Sequence, residues 1–170
     1  MTKGKNLLYA SLGEGALILL MGAIALAVRR PLIFASLGPT AYELVEKPLA
    51  PSAGTYNIIA GHMAGLGAGL FSLWLLAAWN APKVASTGFV TSARLWAAVL
   101  SVVITTAATL SLKASQPASL STTLLVSLGS MQTTRDAAAI AIAVLIIAAV
   151  GEPLRRQFAL ARVAERKPLE

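Results

Sequence analysis

Two stretches place hydroxyl groups beside prolines in a chain that is otherwise poor in polar side chains. Ser36, Gly38, Pro39 and Thr40 make the first. Ser119, Ser121, Thr122 and Thr123, just after Pro117, make the second. Hydroxyls donate hydrogen bonds. Proline suits a first helical turn, where its missing N–H costs nothing. A helix start presents free N–H groups and the positive end of its dipole. These groups together can hold a small negative charge, and neither stretch contains a Lys or Arg. One helix terminus contributes about 0.3–1 kcal/mol, and up to ~2 when partly buried. Such a hold is weak, which suits an ion that must also leave. The competing reading of the same residues is helix capping and close packing.

His62 is the only histidine. A lone intramembrane histidine bridges helices more often than it ligates, and its titration range also permits proton carriage. Asn57, five residues earlier, reads as a helix cap or a further contact to the anion. Gly61, Gly65 and Gly69 recur every four residues and form one close-packing helix face. That face predicts a homo-oligomer, a dimer or trimer. Glu14 lies in an apolar run and is expected to reach an interface near Lys5, or to serve transport. Glu43, Glu46 and Asp136 are expected in a solvated mouth with Arg29, Arg30, Lys113 and Arg135.

Several chemistries have no residues to support them. The chain has no cysteine, so thiolate metal sites and disulfides are excluded. One histidine excludes a multi-histidine metal site, and no cofactor is expected. No Ser/His/Asp set has catalytic spacing and no phosphate loop is present, so catalysis is not expected.

These residues must be positioned by membrane helices. Of 170 residues, 56% are hydrophobic and 12% charged. Leu95–Leu112 is eighteen residues without a charge, and Pro48–Pro82 is thirty-five without Lys, Arg, Asp or Glu. A bilayer span needs about 20 apolar residues. Four spans follow: Leu7–Val28, Ile58–Trp79, Leu95–Leu112 and Thr134–Leu154. Ala25-Leu26-Ala27 resembles a signal-cleavage site, but the apolar run is long, so it reads as a retained first helix. Trp74, Trp79 and Trp96 fit interfacial belts. The net charge of +7 reads as basic membrane flanks rather than nucleic-acid binding. The basic tail, 156–170, is expected to meet anionic lipid.

Pro31–Val45 and Ala114–Thr134 fit neither span nor loop. The second holds eleven Ser, Thr or Gln in twenty-one residues. Irregular polar backbone at membrane depth persists only where protein or a wet cavity satisfies it. Ala35–Thr40 and Ala118–Thr123 share four of six residues at an offset of 83. The predicted fold is therefore all-α and integral to the membrane. It has four transmembrane helices, two short re-entrant or broken helices and two internal repeats, about 7–79 and 95–155, in one domain, 1–170. Six short spans in inverted repeats are the alternative. Paired interrupted segments point to a transporter's binding site. In either topology Lys and Arg divide nine against five, placing both termini in the cytoplasm. A bacterial inner membrane is the expected location.

Leu32–Gly69, LIFASLGPTAYELVEKPLAPSAGTYNIIAGHMAGLGAG, resembles the first half of the HPP family of small membrane proteins. The likeness rests on the Ser-Leu-Gly-Pro stretch, a Pro-rich loop, and Asn57-Ile58-Ile59-Ala60-Gly61-His62 opening a helix. The family's His-Pro-Pro is replaced by Ser115-Gln116-Pro117, so the role of that histidine does not carry over. The resemblance implies a four-helix membrane protein that transports a small inorganic anion, with nitrite as the family's assigned substrate and nitrate as a relative. The alternative is a membrane module for sensing or assembly with a packed, dry centre.

Overall fold

The computed structural model describes residues 3–166, with side chains from 8 to 164. The side chains of Lys3, Lys5 and Arg166, and the whole of Lys167, lie outside the described residues. So does the expected contact of Lys5 with Glu14.

Among the described residues six helices have ten or more residues. They are α1 (Lys3–Val28), α2 (Leu37–Glu46), α3 (Thr55–Leu75), α4 (Ser92–Ser111), α5 (Ala118–Ser127) and α6 (Thr134–Arg166). Four are long and apolar enough to cross a bilayer: Leu8–Val28, Thr55–Leu75, Ser92–Ser111 and Thr134–Ala164. The chain is an all-α integral membrane protein. Single turns at Pro51–Ala53, Ala78–Asn80 and Val84–Thr87 join them.

α1 and α4 stop in the same way. Arg29 and Lys113 take left-handed φ values of 51° and 52°. Arg29 N–H donates to Leu26 O and Arg30 N–H to Ala25 O; Lys113 N–H donates to Leu110 O and Ala114 N–H to Thr109 O. This is the paired closing bond of a Schellman cap, repeated 84 positions apart (113 minus 29). Beyond each cap a short extended lead-in runs to a ten-residue helix, α2 or α5. Ten residues rise about 15 Å, half the hydrocarbon core.

Cross-bundle contacts give the direction of each pass. At one face α3 begins beside the far part of α6, where Thr55 Oγ1 donates to Glu152. Arg155 donates to Pro48 O, and Arg162 pairs with Glu46 at the end of α2. The Tyr56 hydroxyl donates to Leu112 O, just past the end of α4. This is the terminal face. At the opposite face Arg94, in the first turn of α4, donates to Ala81 O and to Ser127 O at the end of α5. Gln132, just before α6, donates to Trp79 O. Hence α2 runs toward the terminal face and α5 away from it. The short segments do not fold back. Each is a broken helix whose extended lead-in completes the pass, so the chain traverses the bundle six times.

Apolar side chains face outward as well as inward. Leu19, Leu26, Trp74, Leu110 and Leu160 are exposed, whereas Leu37, Leu44, Ile58, Leu73, Ile140 and Ile147 are buried. Lipid is as apolar as leucine, so close contact and internal hydrogen bonds hold the helices together. α3 is central, with 50% of its span buried, and α1 is peripheral at 11%.

The glycine face of α3 is consumed inside the protomer. A Cβ at Gly61 would meet Gln116 Cβ at 2.5 Å, at Gly65 Ser119 O at 2.5 Å, and at Gly69 Val126 Cβ at 2.8 Å. α5 thus lies against the bare backbone of α3, and this stripe is not a free surface for a second copy. Gly67, off the stripe, meets nothing within 4 Å.

One charged region extends its span, and one departs from expectation. α6 passes through Pro153 and continues to Arg166, well beyond Leu154. Phe158 packs against the core beside Gly13, and Arg162 pairs with Glu46. The described part of the tail is therefore helical, with Phe158 and Arg162 turned to the bundle and Leu160 and Val163 exposed. Glu43 does not join a solvated mouth. It is buried at 7% exposure, with Oε2 unpartnered.

Candidate functional site

α2 enters the bundle with Ser36 at its N-cap. The Ser36 hydroxyl does not cap its own helix. It reaches Thr122 Oγ1, on the second turn of α5, at 2.7 Å. Thr122 Oγ1 lies 2.7 Å from His62 Nδ1, and His62 Nε2 lies 2.9 Å from Thr40 Oγ1. Thr40 closes the loop by donating to Ser36 O at 3.0 Å. The two short helices, arriving from opposite faces, overlap by about one turn where their N-terminal ends lie inside the bundle. α3 supplies the imidazole between them.

Proton count orders this ring. Thr40 donates to a carbonyl, so it accepts from His62 Nε2–H. Nδ1 is then an acceptor, served by the Thr122 hydroxyl, which in turn accepts from Ser36. One neutral tautomer satisfies every group. Ser36, Thr40, His62 and Thr122 are all 0% exposed. Among the described residues no charged side chain bonds to the ring. The arrangement offers three hydroxyls and an imidazole N–H, all donors suited to an anion once the ring opens.

The remaining sequence candidates are placed differently. Ser119 donates to Gln116 O and Thr123 pairs with Thr105 at 2.7 Å. Both lie against the glycine stripe, because residues four apart share a helix face and that face of α5 packs on α3. Thr122, one position round, faces the imidazole instead. Ser121 is half-buried and outside the ring, and Gly38 is exposed. Asn57 stands in the first turn of α3, where its Nδ2 donates to Pro51 O and ties the preceding loop. It belongs to the terminal face and not to the ring.

Three polar residues are buried that the sequence does not single out as site residues. Thr105 belongs to a Ser101–Thr105–Thr109 stripe on α4, each hydroxyl bonded back into its own helix. The four-residue spacing of hydroxyls was the available signal. Arg94, counted as a flanking charge, is fully buried and donates to Pro82 O, Ala81 O, Ser127 O and Gln132 Oε1. Gln116 is 3% exposed and neither amide atom has a partner.

The chain matches the transmembrane region of the HPP family over residues 1–157. It belongs to the HPP family. No curated protein and no solved structure matches it. In this HPP protein the matched region takes in all of α1 to α5 and α6 as far as Gln157, so the hydroxyl–imidazole ring lies wholly inside the family's membrane region. Its short helices are placed by contacts between the two halves of that region.

Proposed function

We propose that this HPP protein transports a small inorganic anion, nitrite or nitrate, across the membrane. The observation that carries the reading is the meeting of two broken helices inside the bundle, with Ser36, Thr40 and Thr122 gathered on His62. Half-helix N-termini inside a membrane present backbone N–H groups and dipole ends to anions. Hydroxyls supplement them without burying a fixed positive charge. The long–short–long order of each half, reversed in direction between halves, supports inverted repeats that rock about this point.

Lys and Arg support the orientation. Counted along the sequence for six passes, Lys3, Lys5, Lys47, Lys113, Arg155, Arg156, Arg162, Arg166 and Lys167 fall on the side of the termini, against Arg29, Arg30, Lys83, Arg94 and Arg135. Nine against five supports a cytoplasmic terminal face, as expected in a bacterial inner membrane. Assembly into a dimer or trimer would use a face other than the glycine stripe.

The test is nitrite and nitrate flux into proteoliposomes, with and without a pH gradient. Flux above that of empty vesicles is expected. A folded protein that moves neither anion would sink the reading. The second reading, a sensing or assembly module, draws on the mutual satisfaction of the ring, which leaves a dry centre. It predicts no flux.

A further inference from the structure

The second lead-in leaves a groove between α4 and α5 that opens at the terminal face. Its volume is about 330 Å³, and its lining includes Thr106, Thr109, Lys113, Ser115, Gln116 and Ser119. Lys113 is exposed, and Pro117, Ser119 and Leu120 bring the start of α5 into the lining. Gln116 is wedged between this groove and the backbone of Gly61, the neighbour of His62. Its amide can donate two hydrogen bonds and accept others, yet neither atom has a protein partner.

The other half of the chain supplies a comparison. Matching the helix ends at an offset of 84 sets Thr106 and Thr109 against Gly22 and Ala25, and Lys113 against Arg29. Matching Ser119 to Ser36 sets Ser115 and Gln116 against Leu32 and Ile33. The basic residue and the serine persist, while the other four donors become apolar. A Cβ at Gly22 would meet Ile33 Cδ1 at 3.1 Å, so Ile33 packs over the first lead-in's counterpart of the groove. Only the second half carries donors beyond the shared basic residue and serine.

We infer that the α4–α5 groove binds an oxyanion at the terminal face, with the Lys113 ammonium and the Gln116 amide as its principal contacts. The cation and the unpartnered amide line one concavity, and an oxyanion would pair with both. This deepens the transport reading by naming where the anion first binds. The shared chemistry also describes the phosphate of an anionic lipid, and the experiment separates the two sources.

Full-length protein in phosphatidylcholine nanodiscs is titrated with sodium nitrate against sodium gluconate at constant ionic strength. Thermal unfolding is followed by tryptophan fluorescence, since a ligand of the folded state raises its melting temperature. Nitrate is expected to raise it, with the midpoint concentration about tenfold higher in Gln116→Leu and in Lys113→Gln. Arg29→Gln, at the apolar counterpart, should keep the wild-type midpoint. In a second arm phosphatidylglycerol is added and retained lipid is counted by native mass spectrometry. Retention by wild type and loss in both variants, with no nitrate effect, assigns the groove to a lipid phosphate and still supports an oxyanion site. Variants indistinguishable from wild type in both arms overturn it. Lys113→Gln changes an exposed side chain, so its folded protein keeps the test decisive if Gln116→Leu does not fold. Nitrate midpoints shifted as expected but without vesicle flux would remove the transport reading and leave the groove. Flux with midpoints unchanged in both variants and no lipid difference would do the reverse.

Discussion

The Ser36 and Thr122 hydroxyls lie 2.7 Å apart although 86 positions separate them. This bond fastens the start of one broken helix to the second turn of the other, and His62 receives Thr122 on its far side. Thr122→Val keeps the shape and removes the bridging hydroxyl. Ser36 and His62 Nδ1 would each lose a buried partner. A loss of about 1–3 kcal/mol in stability is expected, readable as a lower melting temperature in detergent. An unchanged melting temperature would show that the ring does not hold the short helices together.

Thr40 and Thr123 correspond in sequence but not in surroundings. Thr40 touches His62, and Thr123 touches Thr105 against the glycine stripe. If anions pass the ring, Thr40→Val should lower nitrite flux by roughly tenfold or more, the equivalent of one hydrogen bond to a charged partner. Thr123→Val should change it only a few-fold. Equal losses in the two variants would move the anion path toward α4.

His62→Gln separates bridging from proton carriage. Glutamine retains a donor and an acceptor, so the folded bundle and the pH dependence of flux are expected to persist. His62→Leu leaves Thr40 and Thr122 facing an apolar side chain and should cost about 1–3 kcal/mol. Loss of pH-driven flux alone in the glutamine variant would identify His62 as the proton carrier.

Gly65 and Gly67 provide a paired test of α3–α5 contact. A Cβ at Gly65 meets backbone oxygen at 2.5 Å, and one at Gly67 meets nothing within 4 Å. Gly65→Ala should destabilise by about 1–3 kcal/mol through forced separation of the helices. Gly67→Ala should be neutral or slightly stabilising, because alanine is the better helix former. Thermal unfolding of both variants checks the contrast. Gly65→Leu should prevent folding and not merely dissociate an oligomer.

Arg94 anchors the opposite face through carbonyl oxygens. Its guanidinium also lies where a Cβ at Gly129, which has a φ of +88°, would come within 2.6 Å. Arg94→Met should leave these acceptors unpaired and release the 76–91 connection. Faster proteolysis between Ala81 and Thr91 is the expected readout, with wild-type resistance as the contrary result.

Hydropathy is a local property, and it determined the four spans to within a few residues at most ends. The hydroxyl-rich, proline-interrupted stretches were equally legible, because polar backbone cannot stand in lipid without a reason. The spacing of Gly61, Gly65 and Gly69 announced a close helix contact. It did not name the partner, since any small face can meet it, and tertiary packing chose α5. Composition cannot tell a half-length helix that turns back from one whose extended lead-in finishes the pass. The left-handed caps at Arg29 and Lys113 and the cross-bundle bonds decided that. The ring of Ser36, Thr40, His62 and Thr122 was partly visible as residue types. Its membership was not, because one step around α5 separates Thr122, which meets His62, from Thr123, which meets Thr105. Such a choice depends on how the helix is rotated by everything packed against it. The same holds for Glu43 and Arg94, whose charges gave no sign of burial until the loop and helix ends that enclose them were in place.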